Sequence, residues 1–352
     1  MFTSDMQSTK ERKAKNEAFF VAANGFSGFR SRYGELFSSG DFERVFVIKG
    51  GPGTGKSHLM RELACAGEAA GAGCTYIYCS SDPASLDGTA PHMRDAEIPG
   101  AVDELIDLGT FWNADLLRKR REEICRLLTQ KASAYRSAYR FLALAGEADS
   151  AREELLTTCI NHEKMERAAQ RELRLLRISH TPVHKVAYLS AFSMSGRVRL
   201  DTYRDTAHII SVSDPFGASR FYLEALVRIL ADEGLYSFTR IPSCFSDGIS
   251  EGVYLPENNI LFLSNSSDNE YRNINMKRFL YADKIAAVRA ELRLFDRVRE
   301  EMLAAAESAL RRAGVLHGSL EKIYGEAMDF PEKERFTSSL TARVTALLAQ
   351  DD

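Results

Sequence analysis

The sequence predicts an α/β fold in which a P-loop NTPase-like parallel sheet with flanking helices is duplicated, each half with an inserted or appended helical hairpin. Three observations predict it. A strand-like segment at residues 44–49 leads directly into a glycine-rich loop and an amphipathic helix. A later part of the chain repeats the same order of apolar and polar stretches. Long helical patterns then follow each α/β segment.

The glycine-rich loop matches the pattern G-x-x-x-x-G-K-[ST], whose backbone N–H groups hold phosphate groups. Lys56 is expected to contact the β and γ phosphates, and the Ser57 hydroxyl is expected to ligate Mg²⁺. The helix that begins here presents its N-terminus to the anion. We therefore expect ATP and Mg²⁺ to bind at one run of residues: Gly50, Gly51, Pro52, Gly53, Thr54, Gly55, Lys56, Ser57 and His58.

An acidic group should lie near the Mg²⁺ ion, usually at the end of an apolar strand. Asp82 follows the strand-like residues 75–79, and Asp87 belongs to an Asp-Gly pair, so both are candidates. Both are also common turn residues. Together with Lys56 they form the predicted catalytic set, and Asp87 joins Ser57 as a predicted metal ligand. We expect the first half to lack the further apolar strand that residues 259–264 provide in the second half.

The second half repeats the plan of the first but without its chemistry. Residues 186–196 resemble residues 19–28, and an apolar segment and a loop follow in each case. Setting Pro52 against Pro215 places Ser219 at the lysine position and Arg220 at the hydroxyl position. Without the lysine and most of the glycines, the second loop should not hold a nucleotide by the P-loop mechanism. Chance similarity between two α/β segments is the alternative interpretation.

These patterns predict two domains. Residues 1–181 form the P-loop domain with its helical arm, and residues 182–352 form the degenerate repeat with its own arm. Asn113 is expected to cap the first arm helix, and a second helix should follow Gly146 to about residue 177. The arms either pack between the halves or bind a protein partner. Arg220 or Arg240 could also act on the phosphates as an arginine finger.

Composition narrows the classes of partner. The 46 Lys and Arg against 49 Asp and Glu give a net charge of −3, which does not favour nucleic acid as a partner. The first 20 residues are polar, which does not suit a signal peptide. No stretch approaches the roughly 20 apolar residues of a membrane span. None of the six cysteines forms a C-x-x-C pair, so the sequence does not favour a zinc site or disulfides. We therefore expect a cytoplasmic protein that does not contact membranes.

Several stretches resemble a family of bacterial proteins with two tandem P-loop NTPase-like halves, described as predicted ATPases or ATP-binding proteins. The resemblance is carried by residues 48–63, 79–92 and 99–104. It implies an ATP-binding protein with two P-loop-like halves. Two departures stand out: the family's second loop is usually intact, and its two Asp-Gly sites are separated by an apolar strand, whereas Asp87-Gly88 here runs straight into Thr89.

The leading functional expectation is an ATP-binding P-loop protein, an ATPase with slow or regulated hydrolysis. An intact first loop beside a defective second loop motivates it. One alternative is a nucleotide-gated interaction or scaffold protein without turnover, in which the helical arms engage a partner. Another is a small-molecule kinase, which the P-loop and the arginine-rich run near Arg118 would suit.

Overall fold

The structure is a computed structural model that describes residues 17–32, 40, 42–78, 96–174, 176–204, 207–264 and 272–349. These residues form a mixed α/β protein, as predicted. Its strands are β1 (Glu17–Phe20), β2 (Ala22–Gly25), β3 (Gly28–Ser31), β4 (Val45–Lys49), β5 (Thr75–Tyr78), β6 (Asp103–Asp107), β7 (His184–Val186), β8 (Ser190–Ser193), β9 (Gly196–Arg199), β10 (His208–Val212), β11 (Phe238–Pro242), β12 (Ser250–Leu255), β13 (Ile260–Ser264) and β14 (Arg272–Ile274). Its helices are α1 (Lys56–Ala69), α2 (Ala114–Lys119), α3 (Arg121–Cys159), α4 (His162–Leu173), α5 (Ser219–Glu233), α6 (Ala282–Glu326) and α7 (Phe330–Leu348).

The chain divides into two compact units. The first contains Met1–Phe19, Arg32–Gln130 and Val315–Asp352, and the second contains Phe20–Ser31 and Lys131–Gly314. These units differ from the division at residue 181, because each takes in a segment from the opposite end of the chain. The predicted boundary concerns a sequence repeat and stays a prediction.

The first unit is built around two parallel strands. The strand β4 is rich in β-branched and aromatic residues, which suit a pleated surface, and it pairs in parallel with β6. The helix α1 follows β4 and packs against α7. Leu59, Ile106, Leu108 and Leu340 are buried together and form the core of this layer.

The strand β6 shows that one prediction is wrong. The sequence predicts no further strand in the first half, but Asp103–Asp107 forms one and pairs with β4 over its whole length. The strand is hard to recognise from the sequence because only two of its five residues are apolar and Leu105, one of them, is 57% exposed. Half-exposed short strands of this kind carry little apolar periodicity.

The second unit contains a six-stranded mixed sheet with the order β14-β10-β13-β12-β11-β7. The strand β10 runs parallel to both β13 and β14, whereas β12 runs antiparallel to its two neighbours. The helix α5 follows β10 and packs on β12 and β13. Tyr222, Leu223 and Leu226 on α5 are fully buried against Val253 and Phe262 of the sheet.

The two segments that open the sequence repeat fold alike. β2 and β3 form an antiparallel hairpin whose turn joins Gly25 to Gly28, and β8 and β9 form a second hairpin whose turn joins Ser193 to Gly196. Both hairpins belong to the second unit. The Asn24 amide nitrogen donates a hydrogen bond to the Phe192 carbonyl oxygen at 2.8 Å, which ties one hairpin to the other.

The helical arm differs from the prediction at one point. Asn113 does cap a helix, because its side-chain oxygen accepts a hydrogen bond from the Leu116 N–H at 3.2 Å. The predicted break at Gly146 is wrong, since α3 continues through it to Cys159. A Cβ atom at Gly146 would lie 2.7 Å from the Cβ atom of Phe26, so this glycine allows close packing. The chain turns instead at Asn161, which caps α4.

None of the described helices combines the length and apolar character that a membrane crossing requires.

Candidate functional site

The predicted order of strand, glycine-rich loop and helix is present in the first unit. β4 ends at Lys49 and α1 begins at Lys56, which leaves a loop of six residues. Gly55 stands at the helix N-terminus with a φ of 79°, a left-handed conformation that side chains disfavour. The first turn of α1 therefore presents its N–H groups beside the loop, as an anion site requires.

Gly53 is required for two reasons. Its φ of 70° lies in the left-handed region, and a Cβ atom on it would come within 2.4 Å of the carbonyl oxygen of Glu321 on α6. Real Cβ atoms do not approach a backbone oxygen so closely. The loop conformation thus depends on glycine both for its backbone turn and for its contact with α6.

The Lys56 side chain is folded back across the loop. Its ammonium nitrogen donates hydrogen bonds to the carbonyl oxygens of Gly50 and Gly51, both at 2.8 Å, and the residue is only 6% exposed. The Thr54 hydroxyl also donates to the Gly51 carbonyl oxygen, at 2.9 Å. These bonds hold the Lys56 ammonium group and the Thr54 hydroxyl against the loop backbone.

Ser57 and His58 lie in the first turn of α1. Ser57 is partly exposed, and His58 is exposed. The His58 Nε2 atom is 3.2 Å from a carboxylate oxygen of Glu62, and ligand atoms of His58, Glu62 and Glu334 all lie within 4.8 Å of one another. The structure thus places the imidazole of His58, a predicted nucleotide contact, beside two carboxylates.

Asp107 is an acidic residue that the sequence analysis missed. It is the last residue of β6 and is paired in register with Lys49, the residue before the loop. Because β4 and β6 are parallel, their carboxyl ends meet at one edge, where α/β proteins bind ligands. Its Oδ1 atom accepts a hydrogen bond from the Gly109 N–H at 2.8 Å and so caps a short 3₁₀ turn. Asp82 and Asp87, the acidic residues that the sequence predicts near Mg²⁺, lie outside the described residues.

Two further side chains of the first unit contact the loop. The Trp112 ring would lie 3.0 Å from a Cβ atom on Gly51, and it packs on Tyr324 with ring centroids 5.2 Å apart. The Trp112 Nε1 atom is buried and has no hydrogen-bond partner among the residues that the structure describes. No pattern in the sequence links these positions to the loop.

Lys333 adds a second buried ammonium group beside the loop. Its side chain is 1% exposed, and its Nζ atom would lie 3.6 Å from a Cβ atom on Gly55. It pairs with a carboxylate oxygen of Glu334 at 2.9 Å. The hydrogen bond and charge of Lys333, with a smaller effect of His58, hold the pKa of Glu334 below its ordinary value. Two lysines therefore lie at the N-terminus of α1.

The second unit carries a loop of equal length without this chemistry. β10 ends at Val212 and α5 begins at Ser219, which again leaves a loop of six residues. Phe216 has a φ of 59°, at the position that the sequence repeat aligns with Gly53. Instead of a lysine, the loop supplies a carboxylate to the helix N-terminus: Asp214 Oδ1 accepts a hydrogen bond from the Ser219 N–H at 2.8 Å.

The two arginine-finger candidates are both engaged within the second unit. Arg220 donates hydrogen bonds to Asp149 at 2.8 and 3.0 Å and to Glu153 at 3.1 Å. Arg240 donates to Glu224 and to Ser250, both at 2.8 Å. These contacts account for the positions of both side chains without a nucleotide.

Comparisons with protein-family models, with curated proteins and with solved structures found no match. The family resemblance of residues 48–63, 79–92 and 99–104 therefore stays a prediction.

Proposed function

We propose that the first unit binds ATP with Mg²⁺ at the loop between β4 and α1 and hydrolyses it slowly or under regulation, in the cytoplasm. The observation that carries this proposal is the position of Lys56. Its ammonium group is buried and held by the carbonyl oxygens of Gly50 and Gly51, at the N-terminus of a helix. Backbone N–H groups and a fixed cation at one point form an anion site suited to phosphates.

The described residues near the loop also suit Mg²⁺. This ion prefers hard oxygen ligands, and Ser57 offers a hydroxyl while Asp107 offers a carboxylate. One Asp107 oxygen already accepts the Gly109 N–H, which orients the carboxyl group. In P-loop proteins the ion bridges the β and γ phosphates and neutralises charge that develops during transfer. In this proposal Asp107 takes the role that the sequence analysis gave to Asp82 or Asp87.

Lys56 and Lys333 would neutralise phosphate charge from two elements. Lys56 begins α1, and Lys333 reaches the same helix end from α7. Buried ammonium groups bind anions more strongly than exposed ones, because water screens their charge less. The Lys333 contact with Glu334 offers one route for regulation, since occupancy of the loop would compete for the same ammonium group.

We further propose that the second unit is a degenerate copy of the same P-loop plan. Equal loop lengths, a left-handed residue at the equivalent fourth position of each loop and a matching hairpin before each strand support this interpretation. The Asp214 carboxylate at the N-terminus of α5 supports loss of P-loop chemistry there, because it occupies an N–H that a phosphate would use.

A second candidate function is a nucleotide-gated interaction protein without turnover. The contact of Gly53 with the Glu321 carbonyl oxygen favours it, because the loop touches the backbone of the 45-residue helix α6. A change of loop conformation on nucleotide binding would therefore act directly on that helix. Absence of hydrolysis combined with tight ATP binding is the signature of this alternative.

Release of inorganic phosphate from ATP separates these functions. We expect slow, Mg²⁺-dependent release by the wild type and none by Lys56→Ala. Lys119→Ala is the matched control, since Lys119 is an exposed lysine of the first unit at the end of α2. Tight binding without release would favour the interaction protein. Release that survives Lys56→Ala would contradict the assignment of the loop as the site.

A further inference from the structure

A cavity of about 470 Å³ lies within the second unit, beside the loop between β10 and α5. Pockets of this size suit small metabolites. Five arginines from four different elements line it: Arg152 on α3, Arg197 and Arg199 on β9, Arg220 on α5 and Arg299 on α6. Convergence of side chains from separate elements sets this cluster apart from a charged helix face.

The cavity lining has an excess of positive charge. The carboxylates that line it are Asp149, Asp214 and Glu251, so the lining itself has five arginines against three acids (5 − 3 = 2). Glu153, Asp296 and Glu300 pair with Arg220, Arg152 and Arg299 from outside the lining, and these three carboxylates are more exposed than Asp149 and Glu251. Arginine stays protonated in proteins, so proton loss cannot remove this excess. An anion in the cavity would pair with the guanidinium groups from its interior.

Two buried carboxylates hold the arginines in place. Asp149 pairs with Arg152 at 2.6 Å, with Arg220 at 2.8 Å and with the Arg299 Nε atom at 3.2 Å. Glu251 pairs with Arg197 at 2.5 Å and accepts a hydrogen bond from Ser190 at 2.9 Å. The guanidinium groups are therefore oriented before any ligand arrives, which lowers the entropy cost of binding.

Several donors are left over after this pairing. The Arg152 side chain is 8% exposed, and its Nε atom has no hydrogen-bond partner within the described part of the chain. Among the described residues, Arg199 forms an ion pair with Glu251 at 3.8 Å, which is a weak contact. A buried N–H without a partner costs about 1–3 kcal/mol, which a bound acceptor would recover.

The pKa values of the arginines distinguish those with close carboxylate partners from those beside other arginines. Burial lowers the pKa of Arg197 and Arg220, but Glu251 and Asp149 outweigh burial and raise it above its ordinary value. Burial, followed by the charge of Arg197, lowers the pKa of Arg199 below its ordinary value. Burial also lowers the pKa of Arg299, where the charge of Arg152 acts in the same direction against Asp149. Like-charge repulsion of this kind is relieved by an anion between the groups.

We propose that this cavity binds a small organic molecule that carries at least two negative charges on phosphate groups. Guanidinium forks match phosphate oxygens in pairs. The Ser219 and Ser264 hydroxyls are hydrogen-bonded to each other at 2.7 Å, so the pair offers one further O–H as a neutral donor at the N-terminus of α5. Arg197 and Arg299 both lie over the Phe245 ring, at 5.9 and 5.6 Å, and this ring gives the organic part of the ligand an apolar wall.

This inference goes beyond the ATP site proposed for the first unit, and it holds or fails independently. Its probe is inorganic pyrophosphate, titrated calorimetrically without divalent metal into the full chain. The titrations use the Lys56→Ala background, so that the loop of the first unit does not contribute. Citrate at equal ionic strength is the comparison anion.

We expect saturable pyrophosphate binding in the Lys56→Ala background. Arg199→Gln and Arg299→Gln should each lower the affinity about tenfold, because each removes one charge-assisted contact. Arg228→Gln is the matched control, because Arg228 is an exposed arginine of α5 outside the cavity. Thermal unfolding of each variant checks that it is folded.

Three results would overturn the proposal: no saturable binding in the Lys56→Ala background, equal affinity in the cavity variants and the control, or citrate binding as tight as that of pyrophosphate. The last result would assign the cavity to a polycarboxylate. If wild type binds pyrophosphate through the arginines but fails to bind ATP, the cavity proposal stands and the proposed function of the first unit fails.

Discussion

Asp107 lies opposite Lys49 in the parallel pairing of β6 with β4. It is therefore at the edge of the sheet where the glycine-rich loop begins. Phosphoryl-transfer sites of the P-loop type place an acidic residue at the end of a strand in this way. The relationship supports the proposed Mg²⁺-dependent nucleotide site and adds a third acidic candidate to Asp82 and Asp87, which the sequence predicts.

Replacing Asp107 should weaken the Mg²⁺ dependence of nucleotide binding. We expect Asp107→Asn to remove most of the gain in ATP affinity that Mg²⁺ gives, a change of about tenfold, because a charged oxygen ligand is lost. Calorimetric titration with and without Mg²⁺ measures this change. Glu104→Gln on the same strand is the control. Equal Mg²⁺ dependence in both variants would exclude Asp107 as a ligand.

Gly53→Ala should destabilise the first unit more than a glycine substitution that introduces backbone strain alone. Gly71 has a φ of 87° and open space around it, whereas Gly53 combines a φ of 70° with the close approach of the Glu321 carbonyl oxygen. We expect Gly71→Ala to cost about 1–2 kcal/mol from the left-handed backbone and Gly53→Ala to cost more. Thermal unfolding compares the two. Equal losses would show that the contact with α6 adds nothing.

The single tryptophan of the chain should report on the loop. Trp112 lies against Gly51 and packs on Tyr324, so a nucleotide that reorders the loop changes the surroundings of its ring. We expect a saturable change of tryptophan emission on addition of ATP with Mg²⁺. The change should disappear in Lys56→Ala and remain in Lys119→Ala. No change of tryptophan emission at saturating ATP with Mg²⁺ would contradict the placement of Trp112 beside a nucleotide-binding loop.

Asp149 should make the stability of the second unit depend on pH. Burial raises its pKa, but the hydrogen bond and charge of Arg220 and the charges of Arg152 and Arg299 outweigh burial and lower the pKa below its ordinary 3.8. A carboxyl group whose pKa is lowered by folding stabilises the folded state above its unfolded pKa. This stability is lost as the pH falls below 3.8 through the folded pKa.

We therefore expect Asp149→Asn to cost about 3–5 kcal/mol at pH 7, because three arginines lose their shared carboxylate. The difference between wild type and variant should shrink as the pH falls below 3.8. Denaturant unfolding at a series of pH values measures both quantities. A difference that stays constant across this range would show that the charge of Asp149 contributes nothing to stability.

Local patterns predicted the parts of the site that lie close together in the sequence. The strand, the loop and the start of α1 occur where the motif placed them, because a glycine-rich turn and a helix N-terminus are encoded by adjacent residues. The structure also confirms the Asn113 cap, which depends on a residue three positions away.

The remaining contacts could not be read from the sequence, because they join distant segments. Asp107 ends a strand with little apolar periodicity, and Lys333 reaches the loop from a helix near the other end of the chain. The break predicted at Gly146 failed for a similar reason: the glycine serves contact with Phe26, a residue 120 positions earlier. Such contacts depend on tertiary packing, which single-sequence patterns do not record.

Calorimetric titration of ATP with Mg²⁺ into the wild type and Lys56→Ala shows whether the loop between β4 and α1 is a nucleotide site. We expect saturable binding of one ATP by the wild type and a loss of about a hundredfold or more in Lys56→Ala, because this variant lacks the buried ammonium group that is proposed to contact the phosphates. Lys119→Ala should bind as the wild type does. Equal affinity in the wild type and Lys56→Ala, or no binding by the wild type, would contradict the proposed function.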